Sequence, residues 1–251
     1  MTKHELAPGI VHYIFDPKPG RHFAVNLTAI VDGNKALLID TAYEDQLSQL
    51  LEEFAQDGIE IAGVIISHFH DDHMEGLKLL LGIPVYGSSQ FQTTLDLWTD
   101  KAEHSFYTPT ITVDAPMSFQ FGGHSIKLIP QPGHSACTML TIIDDKFIQI
   151  GDEIMFAADG TPLLPCSDMN ILKRLLGALD KLRAYTNFTL IPSHGDAFSG
   201  DSLLSEIDNR YSYLQAVDNS DGTISYTDAT KDCTCDFAHS EWHENNCYRG
   251  E

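Results

Sequence analysis

The order of apolar runs constrains this chain most. Each half opens on short β-branched and aromatic segments and continues into segments with helical spacing. In the first half, Ile10–Phe15, Phe23–Val31 and Lys35–Ile39 predict strands, the last two joined by the hairpin signal Asp32-Gly33-Asn34. Leu47, Leu50, Leu51 and Phe54 mark a helix over Glu44–Phe54, and Ala62–Ile66 is an apolar run without polar alternation, hence a buried strand. A second helix is expected from near Glu75, then a strand at Pro84–Tyr86 and a helix over Ser88–Trp98. The second half repeats the plan. Phe119–Phe121, Ser125–Ile129, Thr138–Ile143 and Phe147–Ile150 predict a meander turning at Gly122-Gly123 and Asp144-Asp145. Asp168 is the expected N-cap of a helix over Met169–Tyr185, followed by a strand at Phe188–Ile191 and a helix over Leu203–Leu214. Two stacked sheets with helices outside satisfy this α/β pattern, because each sheet must bury one face on the other and one beneath helices.

Residues 1–218 therefore read as one domain, and 251 residues with 43% hydrophobic content suffice for its core. Residues 219–251 are polar, hold three of the five cysteines and read as a C-terminal appendage. The balance of 15 Lys+Arg against 36 Asp+Glu, net −21, repels a polyanion and excludes nucleic acid as a partner. Met1–Gly9 lacks the apolar core of a secretory signal, and no window holds 18 uninterrupted apolar residues, so no membrane partner and a cytoplasmic location are expected. An odd number of cysteines agrees with a reducing compartment. The oligomeric state is left open.

Directly after the buried strand stands Ser67-His68-Phe69-His70-Asp71-Asp72-His73, three imidazoles and two carboxylates within seven residues. Imidazole and carboxylate suit zinc and related divalent metals, and His68 and His70 at a strand end need only a loop to converge on one ion. Asp72 and His73, past the turn, can face a second. His134, Asp152 and His194 each follow an apolar run in a similar context; taken singly, each reads equally well as an ordinary turn residue.

Taken together, these positions resemble the metallo-β-lactamase superfamily, whose signature is H-x-H-x-D-H followed by a distant His, an Asp or Cys, and a final His. The resemblance runs from about Val25, through Leu37-Leu38-Ile39-Asp40-Thr41, to about Gly195. It implies a four-layer αββα sandwich with metals at one edge. By the same resemblance a first metal takes His68, His70 and His134, a second takes Asp72, His73 and His194, Asp152 bridges them, and Asp40 orients a ligand from behind. His73 and Asp152 replace the Arg and Cys of the commonest β-lactamase subclass, which places the set nearer the glyoxalase II and lactonase branches.

The implied activity is a metal-dependent hydrolase: two divalent ions, Zn²⁺ foremost with Fe or Mn as alternatives, cleaving a small-molecule ester, lactone or thioester through a metal-bridging hydroxide. Asp72 is the expected proton-handling residue. Competing readings are a β-lactam hydrolase, a mononuclear-iron persulfide dioxygenase using only His68, His134 and Asp152, and a binding or regulatory protein with a degenerate site. No Lys or Arg lies between Lys127 and Lys146 or between Lys146 and Lys173, the intervals holding His134 and Asp152, so a neutral substrate is expected. Cys233, Cys235, His239, His243 and Cys247 form a candidate accessory metal site, since the last three would share a face if helical.

Overall fold

A computed structural model describes residues 1–248; residues 249–251, the end of the expected appendage, lie outside the described residues. The first sheet holds seven strands in chain order: β1 (Thr2–Ala7), β2 (Ile10–Phe15), β3 (Val25–Asp32), β4 (Lys35–Ile39), β5 (Glu60–Ile65), β6 (Val85–Ser88) and β7 (Ile111–Val113). Pairing is antiparallel from β1 to β4 and parallel from β4 to β7. Helices α1 (Glu44–Asp57), α2 (Asp71–Met74), α3 (Phe91–Trp98) and α4 (His104–Tyr107) connect its second half. The second sheet comprises β8 (Met117–Phe121), β9 (His124–Pro130), β10 (Met139–Ile143), β11 (Phe147–Gly151), β12 (Thr189–Pro192) and β13 (Phe198–Ser199). Only β11 and β12 pair in parallel there, across the connection that carries α5 (Leu172–Leu182). The chain closes with α6 (Leu203–Asn219), α7 (Tyr226–Ala229) and α8 (Trp242–Cys247).

Side chains alternate between two buried faces, which is why β4, β5 and β10 lack polar alternation. Leu37, Ile39 and Ile65 point inward against Ile126, Leu128 and Met139 of the second sheet. Leu38, Val64 and Ile66 point outward beneath α1, where Leu47, Leu50 and Phe54 cover them. Leu140, Ile142 and Ile148 pack under α5 and α6. The result is the αββα sandwich that the two-part pattern predicts. Among the described residues, no helix is long and apolar enough to cross a membrane.

Two local expectations are corrected. Past α2 the chain runs as a 3-10 turn, Glu75–Leu79, rather than a full helix. Gly76 is pressed against the chain after β4, where a Cβ would lie 2.6 Å from the Thr41 carbonyl oxygen and 2.8 Å from Leu47. Asp168 does not cap a helix over Met169–Tyr185: Met169 and Asn170 adopt φ 56° and 53°, left-handed values that break helical continuity, and α5 begins at Leu172. The Asp168 carboxylate instead pairs with Arg174.

Among the described residues, Cys233, Cys235, His239, His243 and Cys247 form no group of three donor atoms close enough to share an ion. Cys233 Sγ faces the Asn209 carbonyl, and His239 hydrogen-bonds Glu241 and stacks on Trp242. The Tyr213 hydroxyl donates to His243 Nδ1 across 2.9 Å, while His243 Nε2 donates to the Ile224 carbonyl across 3.0 Å. Both imidazole nitrogens of His243 are thereby engaged in protein hydrogen bonds, and of the other candidates only Cys247, its Sγ 3.4 Å from His243 Nε2, lies against it. Residues 219–248 pack on the sandwich: Phe237 is buried under α6, and Ala238 bridges to Leu163.

Candidate metal centre

β5 ends at Ile65, and the next residues form the loop that opens on α2, so His68, His70, Asp72 and His73 leave the sheet edge within one turn. His134 comes from the loop after β9, Asp152 from the end of β11 and His194 from the end of β12. These strand ends lie at the same edge of the sandwich, and the six side chains other than His70 are all buried. His68, His70 and His134 present donor atoms within 4.8 Å of one another, as do His68, His73 and Asp152, and as do Asp72, His73 and His194.

Asp152 is the shared member. Its Oδ2 lies 3.7 Å from His68 Nε2, 3.7 Å from His134 Nε2, 3.5 Å from His73 Nε2 and 3.2 Å from His194 Nε2. On one side, His70 Nδ1 stands 3.0 Å from His68 Nε2 and 3.3 Å from His134 Nε2. On the other, the Asp72 oxygens stand 3.4 Å from His73 Nε2 and 3.5 Å from His194 Nε2.

These spacings fit metal. Ligands held about 2.0–2.1 Å from a tetrahedral ion are about 3.3 Å from one another, the middle of the observed range. His73 Nε2 and Asp152 Oδ1 are buried without a hydrogen-bond partner, a costly arrangement unless a cation receives their lone pairs. Burial, reinforced by the neighbouring imidazoles, pushes His68 and His70 well below the usual histidine range, leaving their lone pairs available. Burial also opposes charge on His73 and His194, but Asp152 and Asp72 outweigh it and raise both. Burial likewise opposes charge on Asp152, yet His194, His73 and His68 hold its carboxyl well below the ordinary range. The cluster thus attracts positive charge.

The far nitrogens of three imidazoles, those of His73, His134 and His194, are pinned by hydrogen bonds that select the metal-facing tautomer. His134 Nδ1 donates to the Cys166 carbonyl at 2.8 Å, and His194 Nδ1 to the Ala24 carbonyl at 2.6 Å. His73 Nδ1 donates to Asp40 Oδ2 at 3.0 Å. Asp40, fully buried with φ 63°, also accepts the Ser67 backbone N–H at 2.7 Å, the Ser67 hydroxyl at 2.8 Å and the Ser193 hydroxyl at 3.2 Å. One carboxylate therefore ties β4 to the two loops bearing His68, His73 and His194.

Several contributors left no local signal in the sequence. Arg174 donates from Nε to the Gly133 carbonyl at 2.8 Å and from Nη2 to the His134 carbonyl at 3.2 Å, clamping the His134 loop from α5. Glu153 Oε1 accepts the His134 backbone N–H at 3.1 Å. The cluster opens into a cavity of about 490 Å³ lined also by Arg21, Phe23, Trp98, Met155, Trp242 and Tyr248. Arg21 brings a cation into a site whose flanking intervals contain none.

Comparison with known proteins agrees with this geometry. The sequence profile of the metallo-beta-lactamase superfamily matches residues 20–194. The lactamase-like protein ptaB of Pestalotiopsis fici is 23% identical over 199 residues, 76% of this chain and 57% of that protein. A hydroxyacylglutathione hydrolase of Albidiferax ferrireducens is 26% identical over 140 residues, 55% of this chain and 44% of that protein. The chain thus spans about half the length of these curated relatives. A metallo-beta-lactamase from Pontibacter korlensis superposes with a TM-score of 0.69 at 21% identity, covering 85% of this chain and 98% of that one. The DIM-1 metallo-beta-lactamase gives 0.65 at 16% identity, covering 82% of this chain and 95% of that one.

Proposed function

The chain belongs to the metallo-β-lactamase superfamily, and from that premise we propose that it hydrolyses a small-molecule ester, lactone or thioester with divalent metal held around Asp152. The observation that carries this reading is the convergence of four imidazole Nε2 atoms on one Asp152 oxygen at the floor of an open cavity. Divalent metal in such a site supplies a Lewis acid for the carbonyl oxygen and an acidified water.

The protein's own groups do the remaining work. His68, His70 and His134 would hold one ion and Asp72, His73 and His194 a second, with Asp152 within reach of both groups. Asp72 lines the cavity beside His194, so its carboxylate is placed to take the proton released on attack and return it to the leaving group. Asp40 keeps His73 Nε2 turned to the centre. Phe23 and Trp98 flank His194 and His70 with ring centroids 4.6 Å and 5.0 Å away, and shield the reacting carbonyl from bulk water. Arg21 in the lining is compensated by Asp71, and Asp168 by Arg174, so an anionic substrate finds no uncompensated Lys or Arg among the described lining residues, which favours a neutral substrate.

The test is turnover by the zinc-reconstituted chain of neutral lactones and aryl esters, a hydroxyacylglutathione thioester and a penicillin. Chelator-sensitive hydrolysis of the lactone, ester or thioester is expected. Penicillin turnover above all three, or no metal-dependent hydrolysis, contradicts the proposal.

A further inference from the structure

The cavity is bounded by aromatic rings on two sides, and one side comes from beyond residues 20–194, where the family match ends. On the His70 side stands Trp98 at the end of α3, 57% exposed and edge-on to the imidazole. On the His194 side stands Phe23, and behind it Trp242 of α8, with ring centroids 6.4 Å apart at 74°. Tyr248, 63% exposed, extends the same wall toward the mouth.

The wall is built into the fold. Asn246, fully buried, donates to the Pro165 carbonyl at 2.8 Å and to the Tyr213 hydroxyl at 3.0 Å. The backbone of Ala238 pairs with Pro162 and Leu164 across 2.9 Å and 3.0 Å. His239 stacks on the indole of Trp242 at 4.5 Å and 13°, fixing its ring plane. Trp242 is thereby held from its helix, from its neighbour and from Phe23.

We propose that the C-terminal segment is the substrate-selecting wall of the centre, and that Trp242 with Phe23 on one side and Trp98 on the other receive a flat aromatic group of a neutral carbonyl compound. A flat ring between two edges of aromatic surface buries apolar area and gains edge-to-face contacts that an alkyl group of equal length does not. Arg21, the cation of this lining, is faced by Asp71, so a carboxylate on the same molecule finds no uncompensated partner there. The inference deepens the hydrolase reading and rests on it for the carbonyl end of the ligand.

The test is calorimetric binding of 2-naphthamide and acetamide to the full-length, zinc-loaded chain. Naphthamide is expected to bind at least about tenfold tighter, and Trp242→Ala to reduce that preference about tenfold. Trp242→Phe retains most of it. Trp98→Ala, which removes a largely exposed side chain, reduces it as well. Equal affinity for the two amides in the unaltered chain, or an unchanged preference in both alanine variants, overturns the inference. Hydrolysis of the lactone, ester and thioester is measured separately: a chain that prefers naphthamide but hydrolyses none of the three upholds the wall and removes the hydrolase reading.

Discussion

Asp40→Asn isolates the contribution of one buried negative charge without changing its shape. Asparagine tolerates the left-handed backbone that Asp40 adopts at φ 63°, so the substitution carries little strain. The carboxylate accepts from the Ser67 backbone N–H on one oxygen, and from the Ser67 hydroxyl, the Ser193 hydroxyl and His73 Nδ1 on the other. An amide offers only one oxygen, so its NH₂ faces either the Ser67 N–H or the His73 Nδ1–H, donor against donor. In the second case the imidazole regains a partner by moving its proton to Nε2, the atom that faces Asp152 and Asp72. Its lone pair is then lost to metal.

Each charged hydrogen bond removed is worth about 1.5–3 kcal/mol, and loss of such an orienting partner lowers metal affinity by about 10–100-fold. Zinc affinity is measured by competition with a chromophoric chelator, alongside thermal unfolding of the apo chain. The expected result is loss of that affinity at one of two sites, with the chain still folded. Affinity within about twofold of the unaltered chain refutes the assigned role of Asp40 in orienting His73.

Gly133→Ala places a Cβ 2.1 Å from the Glu153 carboxylate, so overpacking of about 1–3 kcal/mol and weakened zinc binding through His134 are expected, read by thermal melting and metal titration. His12 is buried between Thr28 and Gly195, and burial pulls its pKa down to about 4. The unfolded state therefore takes up a proton below about pH 6.5 that the folded state refuses until about pH 4, and stability falls by about 3 kcal/mol as pH drops through that window. In denaturant titrations of the apo protein, His12→Gln should flatten this slope; an equally steep slope contradicts the assignment. Truncation after Ser220 removes buried Phe237, with about 1.5–3 kcal/mol of apolar burial, so a lower Tm is expected. Metal binding should survive, because the seven candidate ligands precede the cut; loss of metal from a folded truncated chain contradicts that ligand set.

The sandwich was legible because its strands are buried on both faces and its turns carry Gly and Asp pairs, as at Asp32-Gly33-Asn34 and Asp144-Asp145. β1 was not: Thr2–Ala7 is polar and exposed, an edge strand held by backbone pairing to β2 rather than by an apolar pattern. The break before α5 was hidden because the Met169 and Asn170 conformations depend on tertiary contacts, including the Arg174 clamp on Asp168. The histidine-rich loop announced itself through density of ligand types alone. Trp242 gave no such signal, since its place beside Phe23 joins residues more than two hundred positions apart. The helical-face argument for His239, His243 and Cys247 held only in part: His243 Nε2 and Cys247 Sγ meet at 3.4 Å across one turn of α8, but α8 starts after His239, and Tyr213 and Ile224 engage the His243 imidazole.

The central claim is that Asp152 joins two metal positions. Elemental analysis of the zinc-reconstituted, desalted chain and of Asp152→Ala tests it most directly. About two zinc ions per chain are expected, falling to about one in the variant together with most hydrolytic activity. A single ion per chain, unchanged in Asp152→Ala and accompanied by undiminished activity, contradicts it.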